Sequence, residues 1–217
     1  MLRTPPRLSK AAKQALITRA VACWNIALPD PGCELYYETP FQLLVAVVLS
    51  AQTTDLMVNR CVKALFIAGL NPQTIVSWGE ERLLAYIRPI GLAPTKARNI
   101  VKLAQRIIEE FAGEVPSSRL ALESLPGVGR KTANVVLGEI FGLPTLAVDT
   151  HVFRVSARLG LQREKTPEKA EQALLKIIEP QLLPKLHHQL IHHGRYTCKA
   201  QKPRCAECCL AEFCPSR

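Results

Sequence analysis

Four cysteines lie close together near the end of the 217-residue sequence. Cys198, Cys205, Cys208 and Cys214 have the spacing C-x6-C-x2-C-x5-C. Thiolates at such short spacing are typical metal ligands, and both a zinc ion and a [4Fe–4S] cluster accept four of them. The spacing alone favours zinc. Cys209 adds a fifth thiol, so a set built on Cys205, Cys209 and Cys214 is an alternative.

The segment Leu125–Gly129, which reads LPGVG, separates two stretches of helical pattern. Glycine tolerates positive φ and lets a ligand approach the backbone, and the N–H groups at a helix start can bind an anion. The segment therefore predicts a helix–hairpin–helix that holds one DNA phosphate through Gly127, Gly129 and Arg130. An ordinary tight turn between helices is the alternative.

Lys131 falls in the first turn of the helix after this hairpin. The positive end of the helix dipole disfavours a second cation there, which favours the neutral amine that a nucleophile needs. The sequence thus makes Lys131 a candidate nucleophile. A solvated lysine, or one that contacts a phosphate, fits the same position.

Asp149 begins a further helical stretch, in the sequence AVDTHV. Its carboxylate is suited to cap that helix by accepting backbone N–H bonds. An ionised carboxylate could also stabilise the cationic sugar that develops when a glycosidic bond breaks. The local sequence does not separate the two roles, and one residue could serve both.

Three of the six residues between the first two clustered cysteines are basic: Lys199, Lys202 and Arg204. Because bound metal would close this segment into a loop, we expect it to present cations to a nucleic-acid backbone.

The remaining cysteines and most of the histidines suit packing roles. Cys23, Cys33 and Cys61 lie in apolar stretches, which predicts buried thiols acting as small hydrophobic groups. Four histidines cluster near the end of the chain with no carboxylate among them. We interpret them as packing and polar contacts between lobes, with a metal site as the alternative; they are His187, His188, His192 and His193.

Nearly every segment carries helix start and stop signals. Ser9 is suited to cap a first helix, and Thr39-Pro40 to start an all-apolar one. Leu35–Tyr37 and Thr145–Val148 are the short strand candidates. We predict an all-α fold, with helices near residues 9–26, 39–49, 55–68, 72–87, 95–111, 118–125, 129–141, 149–159, 167–178 and 184–193.

The overall charge points toward polyanionic partners. Lys and Arg number 28 against 18 Asp and Glu, a formal net charge of +10. Such an excess steers encounters with nucleic acid, although a merely basic soluble protein is the alternative.

No segment predicts membrane association. The longest apolar run, Leu43–Leu49, is far below the ~18 residues of a membrane span. The first 29 residues hold five basic and no acidic side chains but no secretory core. We therefore expect a cytoplasmic protein, with an organelle transit segment as the alternative.

Together and in this order, these motifs closely resemble endonuclease III, a family of iron–sulfur DNA glycosylases with abasic-site lyase activity. The resemblance extends from Pro40 to Cys214. It is carried by LSAQTTD at 49–55, LPGVGRKTAN at 125–134, VDTH at 148–151, HGRYTC at 193–198 and the cysteine spacing.

The resemblance implies two helical lobes. A six-helix barrel domain with the helix–hairpin–helix would comprise residues 33–143, and residues 1–32 and 144–217 would form an iron–sulfur cluster domain built from both termini. It further implies that Lys131 attacks the anomeric carbon of a flipped nucleotide to form a Schiff base, that Asp149 assists, and that β-elimination then nicks the strand. The cluster would be [4Fe–4S], structural and DNA-facing.

The resemblance also implies a substrate and a way of opening the duplex. Gln52 matches the residue that fills the hole left by the extruded base, and Leu92 matches a wedge on the opposite strand. After Leu92 the chain departs from the pattern of relatives, because Ala93-Pro94-Thr95 is smaller and less polar. The expected partner is damaged double-stranded DNA carrying oxidised pyrimidines, bound by a monomer associated with the nucleoid through that DNA.

Two other functions fit part of the sequence. Adenine-specific mismatch glycosylases share the cysteine cluster, but they use a glutamate on the helix before the wedge, and the stretch Pro40–Leu49 has no carboxylate. A non-enzymatic module could grip DNA with the hairpin and use the metal only structurally.

Overall fold

The computed structural model describes residues 3–217. Met1 and Leu2, which belong to the predicted cluster domain, lie outside the described residues. The chain divides into two compact units. One unit comprises Cys33–Gly142, and the other combines the N-terminal segment up to Gly32 with Leu143–Arg217.

The unit Cys33–Gly142 contains six helices, one of which forms its apolar centre. Pro40–Ser50 (α2) is that centre, because every residue from Phe41 to Leu49 is buried. Its neighbours carry one buried face each and pack around it. They are Asp55–Ile67 (α3), Pro72–Ile87 (α4), Ala93–Phe111 (α5), Arg119–Ser124 (α6) and Arg130–Phe141 (α7).

The second unit joins the two ends of the chain. Lys10–Ala27 (α1) packs with Trp24 fully buried against helices from the C-terminal half. The Arg3 N–H donates to the Ser216 carbonyl at 2.8 Å. The other helical segments are Thr150–Arg158 (α8), Pro167–Leu175 (α9), Leu183–His192 (α10), a 3-10 turn at Pro180–Leu182 and a π-helical turn at His193–Thr197.

The predicted helix starts follow from local capping. The side chains of Ser9, Thr39, Thr54, Asn71 and Thr166 each accept a backbone N–H three residues on, at the N-caps of α1, α2, α3, α4 and α9. The predicted helices are thus found, and α5 begins two residues earlier than expected. The predicted all-α class is confirmed.

The two strand candidates were wrong, since residues 3–217 contain no β-strand. At Leu35–Tyr37, a side chain takes the place of a neighbouring strand, because the Tyr36 N–H donates to Asn59 Oδ1 at 2.9 Å. At Thr145–Val148, the apolar residues are buried without a sheet. Within the same described range, no helix is long and apolar enough to cross a bilayer.

Candidate functional site

The predicted hairpin lies between α6 and α7. Gly127 has φ +81°, and a Cβ atom placed on it would lie 3.2 Å from the Asn99 side chain. Val128 is buried, and its N–H donates to the Leu125 carbonyl at 3.1 Å. Gly127 is therefore required by the turn itself, because a side chain there would meet both unfavourable φ and Asn99.

Gly129 has a different role. It is the N-cap of α7 with φ −96°, and a Cβ atom placed on it would meet nothing within 4 Å. No side chain caps α7, so the N–H groups of its first turn have no side-chain cap bond. Neither the φ angle nor the packing at position 129 requires glycine. The absence of a side chain there leaves room for a ligand at the N–H groups of the first turn of α7.

Lys131 lies in the first turn of α7 with its side chain exposed. It follows the half-buried Arg130, so two cationic side chains flank the open helix start. Lys131 is therefore accessible to a large substrate.

The end of α6 is held by an arginine that sequence analysis missed. Arg106 on α5 donates to the Ser124 carbonyl, and its guanidinium also binds the Glu110 carboxylate through two bonds of 2.5 and 2.7 Å. Glu110 fixes the guanidinium by a bidentate pair, and the guanidinium fixes the last turn before the hairpin. The i,i+4 spacing of Arg106 and Glu110 was the available signal.

Asp149 caps α8 as expected. Its Oδ1 accepts the Val152 N–H at 2.7 Å, and the side chain is half-buried. The preceding Leu146, Ala147 and Val148 are buried and anchor the residue. The Asp149 carboxylate therefore lies at the helix start, and its second oxygen, Oδ2, takes no part in the bond to Val152.

The four clustered cysteines surround one cavity. Its empty volume is about 440 Å³, part of it open to solvent, and its lining includes Cys198, Cys205, Cys208 and Cys214. Burial raises the pKa of the Cys208 and Cys214 thiols, and the neighbouring thiolates of the set raise it further. In residues 3–217, no three His, Cys, Asp or Glu side chains converge closely enough to hold a single metal ion.

Cys209 lies outside this set. It does not line the cavity, and its thiol neighbours that of Cys23. Burial is the main cause that raises the pKa of Cys209 to about 11, followed by the neighbouring Cys208 and Cys23. Cys23 therefore lies beside a second thiol, which sequence analysis did not anticipate. Cys61 is buried in the other unit's core, and Cys33 packs against that core.

Two further arginines missed by sequence analysis hold the first cysteine. Arg158 Nη1 lies 3.3 Å from Cys198 Sγ and donates to the Lys199 carbonyl at 2.7 Å, while Nη2 donates to the Ala200 carbonyl at 3.0 Å. Arg154 Nε donates to the Cys198 carbonyl at 3.1 Å. Both arginines lie on α8, one turn apart, which was the only sequence signal.

The basic loop after Cys198 is accessible. Lys202 is exposed with φ +47°, and Lys199 is half-buried. Arg204 is exposed, and its Nη1 lies 3.9 Å from Glu207 Oε2. Lys202 and Arg204 therefore present cationic groups to solvent, and Arg204 is partly neutralised by its neighbour.

Gln52 and Leu92 lie on adjacent loops of the same unit. Both have left-handed backbone angles, φ +55° and +60°, and both are exposed. A Cβ atom placed on Gly91 would lie 3.6 Å from the Gln52 carbonyl oxygen. The structure therefore brings together two residues that are forty positions apart in sequence.

The histidines make contacts within their own unit. His193 is buried, 5.3 Å from the Trp24 ring, and its Nε2 lies 3.7 Å from Cys208 Sγ. Burial lowers the pKa of His193 to about 4. His192 Nε2 lies 3.0 Å from the Gly32 carbonyl oxygen. Within their own unit, His192 and His193 therefore serve as packing and polar contacts.

The part of the chain that contains the hairpin matches a family of DNA repair proteins. Residues 45–180 match the family described as "HhH-GPD superfamily base excision DNA repair protein". The chain belongs to this family.

The similar proteins include endonuclease III from Treponema pallidum (strain Nichols), 52% identical over 190 residues, which are 88% of this chain and 90% of that protein. Endonuclease III from Escherichia coli (strain K12) is 48% identical over 207 residues, 95% of this chain and 96% of that protein. A solved structure of a trapped endonuclease III–DNA covalent intermediate has 47% identity and a TM-score of 0.87, covering 93% of this chain and 95% of that chain.

These similarities confirm the predicted resemblance to endonuclease III and its fold. They also confirm the predicted enzyme class, a DNA glycosylase and abasic-site lyase of base excision repair.

Proposed function

We propose that the chain removes oxidised pyrimidines from duplex DNA, with the Lys131 ε-amine as nucleophile. The neutral amine attacks the anomeric carbon of an extruded nucleotide, the N-glycosidic bond breaks, and the base leaves with the bonding electron pair and takes up a proton. The amine nitrogen then loses a proton, the bond from the anomeric carbon to the ring oxygen breaks, and the ring oxygen takes up a proton as an iminium, a Schiff base, forms. Loss of a C2′ proton then expels the 3′ phosphate oxygen, and water releases the lysine.

One observation carries this proposal: an exposed lysine lies in the first turn of α7, two residues after a glycine at which a Cβ atom would contact nothing within 4 Å. In our proposal one phosphate binds the open donors at Gly127 and Gly129 with Arg130 beside it. The bound phosphate would hold the DNA backbone at a fixed distance from Lys131 and so orient the amine toward a sugar.

Asp149 is proposed to assist this chemistry as a carboxylate. Its Oδ1 accepts the Val152 N–H, which holds the carboxylate at the helix start. An anion favours the cationic sugar that develops as the base departs, and it can accept the proton released by the amine.

Borohydride reduction tests the Schiff base directly. Incubation with a duplex that holds one abasic site should give a covalent protein–DNA product with the wild type and none with Lys131→Ala. Lys102→Ala is the matched control, because it removes an exposed lysine of α5 that has no proposed role. Asp149→Asn should slow trapping while leaving duplex affinity unchanged. A wild-type protein that binds the duplex and never traps would be the non-enzymatic module.

The cavity between the cysteines is proposed to hold a [4Fe–4S] cluster. The donor set suits a cluster better than a single ion, because the four thiols line one partly enclosed space without converging on one point, and the Arg158 cation lies beside Cys198 to balance thiolate charge. Bound there, the cluster would cross-link the C-terminal loop and take no part in bond cleavage. Cys198, Cys205, Cys208 and Cys214 would be its ligands.

Iron content and visible absorbance of the purified protein test this assignment. Iron with broad visible absorbance supports the cluster, and one zinc per chain would contradict it. Cys208→Ser should lose the metal, whereas Cys209→Ser, the adjacent thiol that faces Cys23, should keep it.

The remaining contacts concern the duplex. Gln52 is proposed to fill the hole left by the extruded base, Leu92 to wedge the opposite strand, and the basic loop to bind phosphates through Lys199, Lys202 and Arg204. Damaged pyrimidines stack poorly and cost less to extrude, which favours them as substrates. Turnover on a panel of duplexes with one lesion each tests the substrate, and preferential release of adenine from a mismatch would contradict it.

We also propose two structural domains, residues 33–143 and residues 1–32 with 144–217, in a monomer that works in the cytoplasm and associates with the nucleoid through DNA. Thiols that ligate a cluster must stay reduced, which supports a reducing compartment. Light scattering after size-exclusion chromatography tests the monomer.

A further inference from the structure

Lys96 is a buried lysine on α5 that the proposed chemistry does not use. Only 5% of its surface is exposed. Its Nζ donates to the Leu49 carbonyl at 2.8 Å, the Ala51 carbonyl at 2.5 Å and Thr53 Oγ1 at 3.3 Å. An ammonium has three donors, so all of its donor capacity is used inside the protein. Burial lowers the pKa of Lys96, which shows that desolvation acts against this cation.

These acceptors lie around the loop that carries Gln52. Leu49 and Ala51 are at the C-terminal end of α2, where carbonyls lack helical partners and the helix dipole is negative. Ala51 and Thr53 are the two neighbours of Gln52 in the chain. Lys96 therefore binds the loop on both sides of Gln52, and the Gln52 side chain remains exposed to solvent.

Gln52 needs such a restraint because its backbone is left-handed at φ +55°. Residues other than glycine, asparagine and aspartate rarely adopt this conformation, and it persists where surrounding contacts impose it. The hydrogen bond from Lys96 fixes the Ala51 carbonyl and with it the peptide bond between Ala51 and Gln52. Because this peptide bond is one end of the φ angle of Gln52, the Lys96 bond is placed to impose the left-handed value.

The same lysine also contacts the second loop. The Lys96 backbone N–H donates to the Leu92 carbonyl at 3.0 Å, at the start of α5, and Leu92 has φ +60°. One residue thus binds the backbone beside Gln52 through its side chain and that of Leu92 through its main chain.

We propose that Lys96 is a positioning residue that holds Gln52 and Leu92 in one fixed arrangement, so that both enter the duplex together when a nucleotide is extruded. This inference rests on the proposed function, in which Gln52 replaces the lost base and Leu92 wedges the other strand. Lys96 touches neither DNA nor the reacting atoms.

A second role for Lys96, as a plain cap of α2, predicts different behaviour. A cap alone would affect folding, and its loss would slow every substrate equally. A positioning role affects only duplexes in which a base pair must be broken before the nucleotide is extruded. The test therefore compares an oxidised pyrimidine that is paired in an intact duplex with the same lesion opposite a one-nucleotide gap, where no base pair resists extrusion.

Lys96→Met keeps the length of the side chain and removes the charge. We expect borohydride trapping of the intact duplex to slow about tenfold, the loss of roughly one hydrogen bond to a charged group, and trapping of the gapped duplex to stay within about twofold. Lys102→Met, on an exposed position of the same helix, is the matched control and should change neither rate. In a Gln52→Ala background, Lys96→Met should add little further loss.

Several outcomes would overturn the inference. Equal slowing on both duplexes, or wild-type rates on both, removes the positioning role while the Schiff base stands. A wild type that traps neither duplex defeats the proposed function instead. Thr53→Val provides a second variant if Lys96→Met does not fold, because it removes one acceptor and should slow only the intact duplex.

Discussion

The guanidinium of Arg158 lies 3.3 Å from the sulfur of Cys198, although forty residues separate the two in sequence. The same side chain binds the carbonyls of Lys199 and Ala200. It thereby fixes both the first thiol of the cavity and the start of the basic loop. Since α8 carries Arg158 at its end and Asp149 at its N-cap, one helix supports two parts of the proposed chemistry.

Arg158→Lys should weaken this attachment without changing the charge. Lysine cannot reproduce the planar fork, so bonds to the loop are lost at a cost of about 1 to 3 kcal/mol. We expect iron to be released faster when the protein is incubated with a chelator, measured by the decay of visible absorbance. Arg7→Lys, an exposed arginine of the same unit, is the control. An unchanged release rate would show that Arg158 does not retain the metal.

The two hairpin glycines should respond oppositely to substitution. Gly127→Ala forces alanine into φ +81° against Asn99, so the free energy of unfolding should fall by about 1 to 2 kcal/mol. Gly129→Ser suits an N-cap and has open space, so stability should stay within about 0.5 kcal/mol. Its hydroxyl would accept the N–H bonds that a phosphate needs, and duplex affinity should fall about tenfold.

Chemical denaturation and a duplex-binding titration measure the two properties of these variants. If Gly129→Ser bound DNA as tightly as the wild type, the phosphate site would have to lie elsewhere.

Salt dependence distinguishes the cations of the basic loop. Lys202 is exposed, so Lys202→Ala should reduce the slope of log K against log[salt] by about one. Arg204 shares its charge with Glu207, so Glu207→Gln should tighten binding. Lys185→Ala, an exposed lysine of the same unit without a proposed contact, should leave the slope unchanged. A wild-type affinity that is insensitive to salt would contradict phosphate binding altogether.

Stability should decrease in alkali because of Cys33. Burial raises the pKa of its thiol from 9.0 to about 12. Between these values the unfolded chain has lost the proton that the folded protein retains, so the free energy of unfolding falls as pH rises. The contribution is complete below pH 9 and is lost toward pH 12, with a slope of at most ~1.4 kcal/mol per pH unit.

Denaturant titrations of wild type and Cys33→Ala from pH 8 to 11 measure this effect. The variant should show the shallower alkaline decrease, whatever its stability at neutral pH. The remaining decrease should include Tyr37, since burial and its hydrogen bond to Glu139 raise the pKa of that phenol. Parallel curves would assign the alkaline loss to other groups.

The helices could be predicted from the sequence because their signals are local. Each cap joins residues three positions apart, and each glycine turn depends on its own φ, so Ser9, Thr39 and Gly127 could be interpreted without a fold. The strands failed for the complementary reason. A β-strand requires a partner, and the short segment Leu35–Tyr37 did not reveal that Asn59 would take its place.

The sequence by itself determined the all-α class, the hairpin, the lysine and aspartate at two helix starts, and the four-cysteine spacing. Only the tertiary structure decided which thiols line the cavity, that Cys209 faces Cys23, and that Lys96, Arg106 and Arg158 hold the loops in place. The reason is physical: caps and turns are bonds between near neighbours, whereas these contacts join distant residues that only packing brings together.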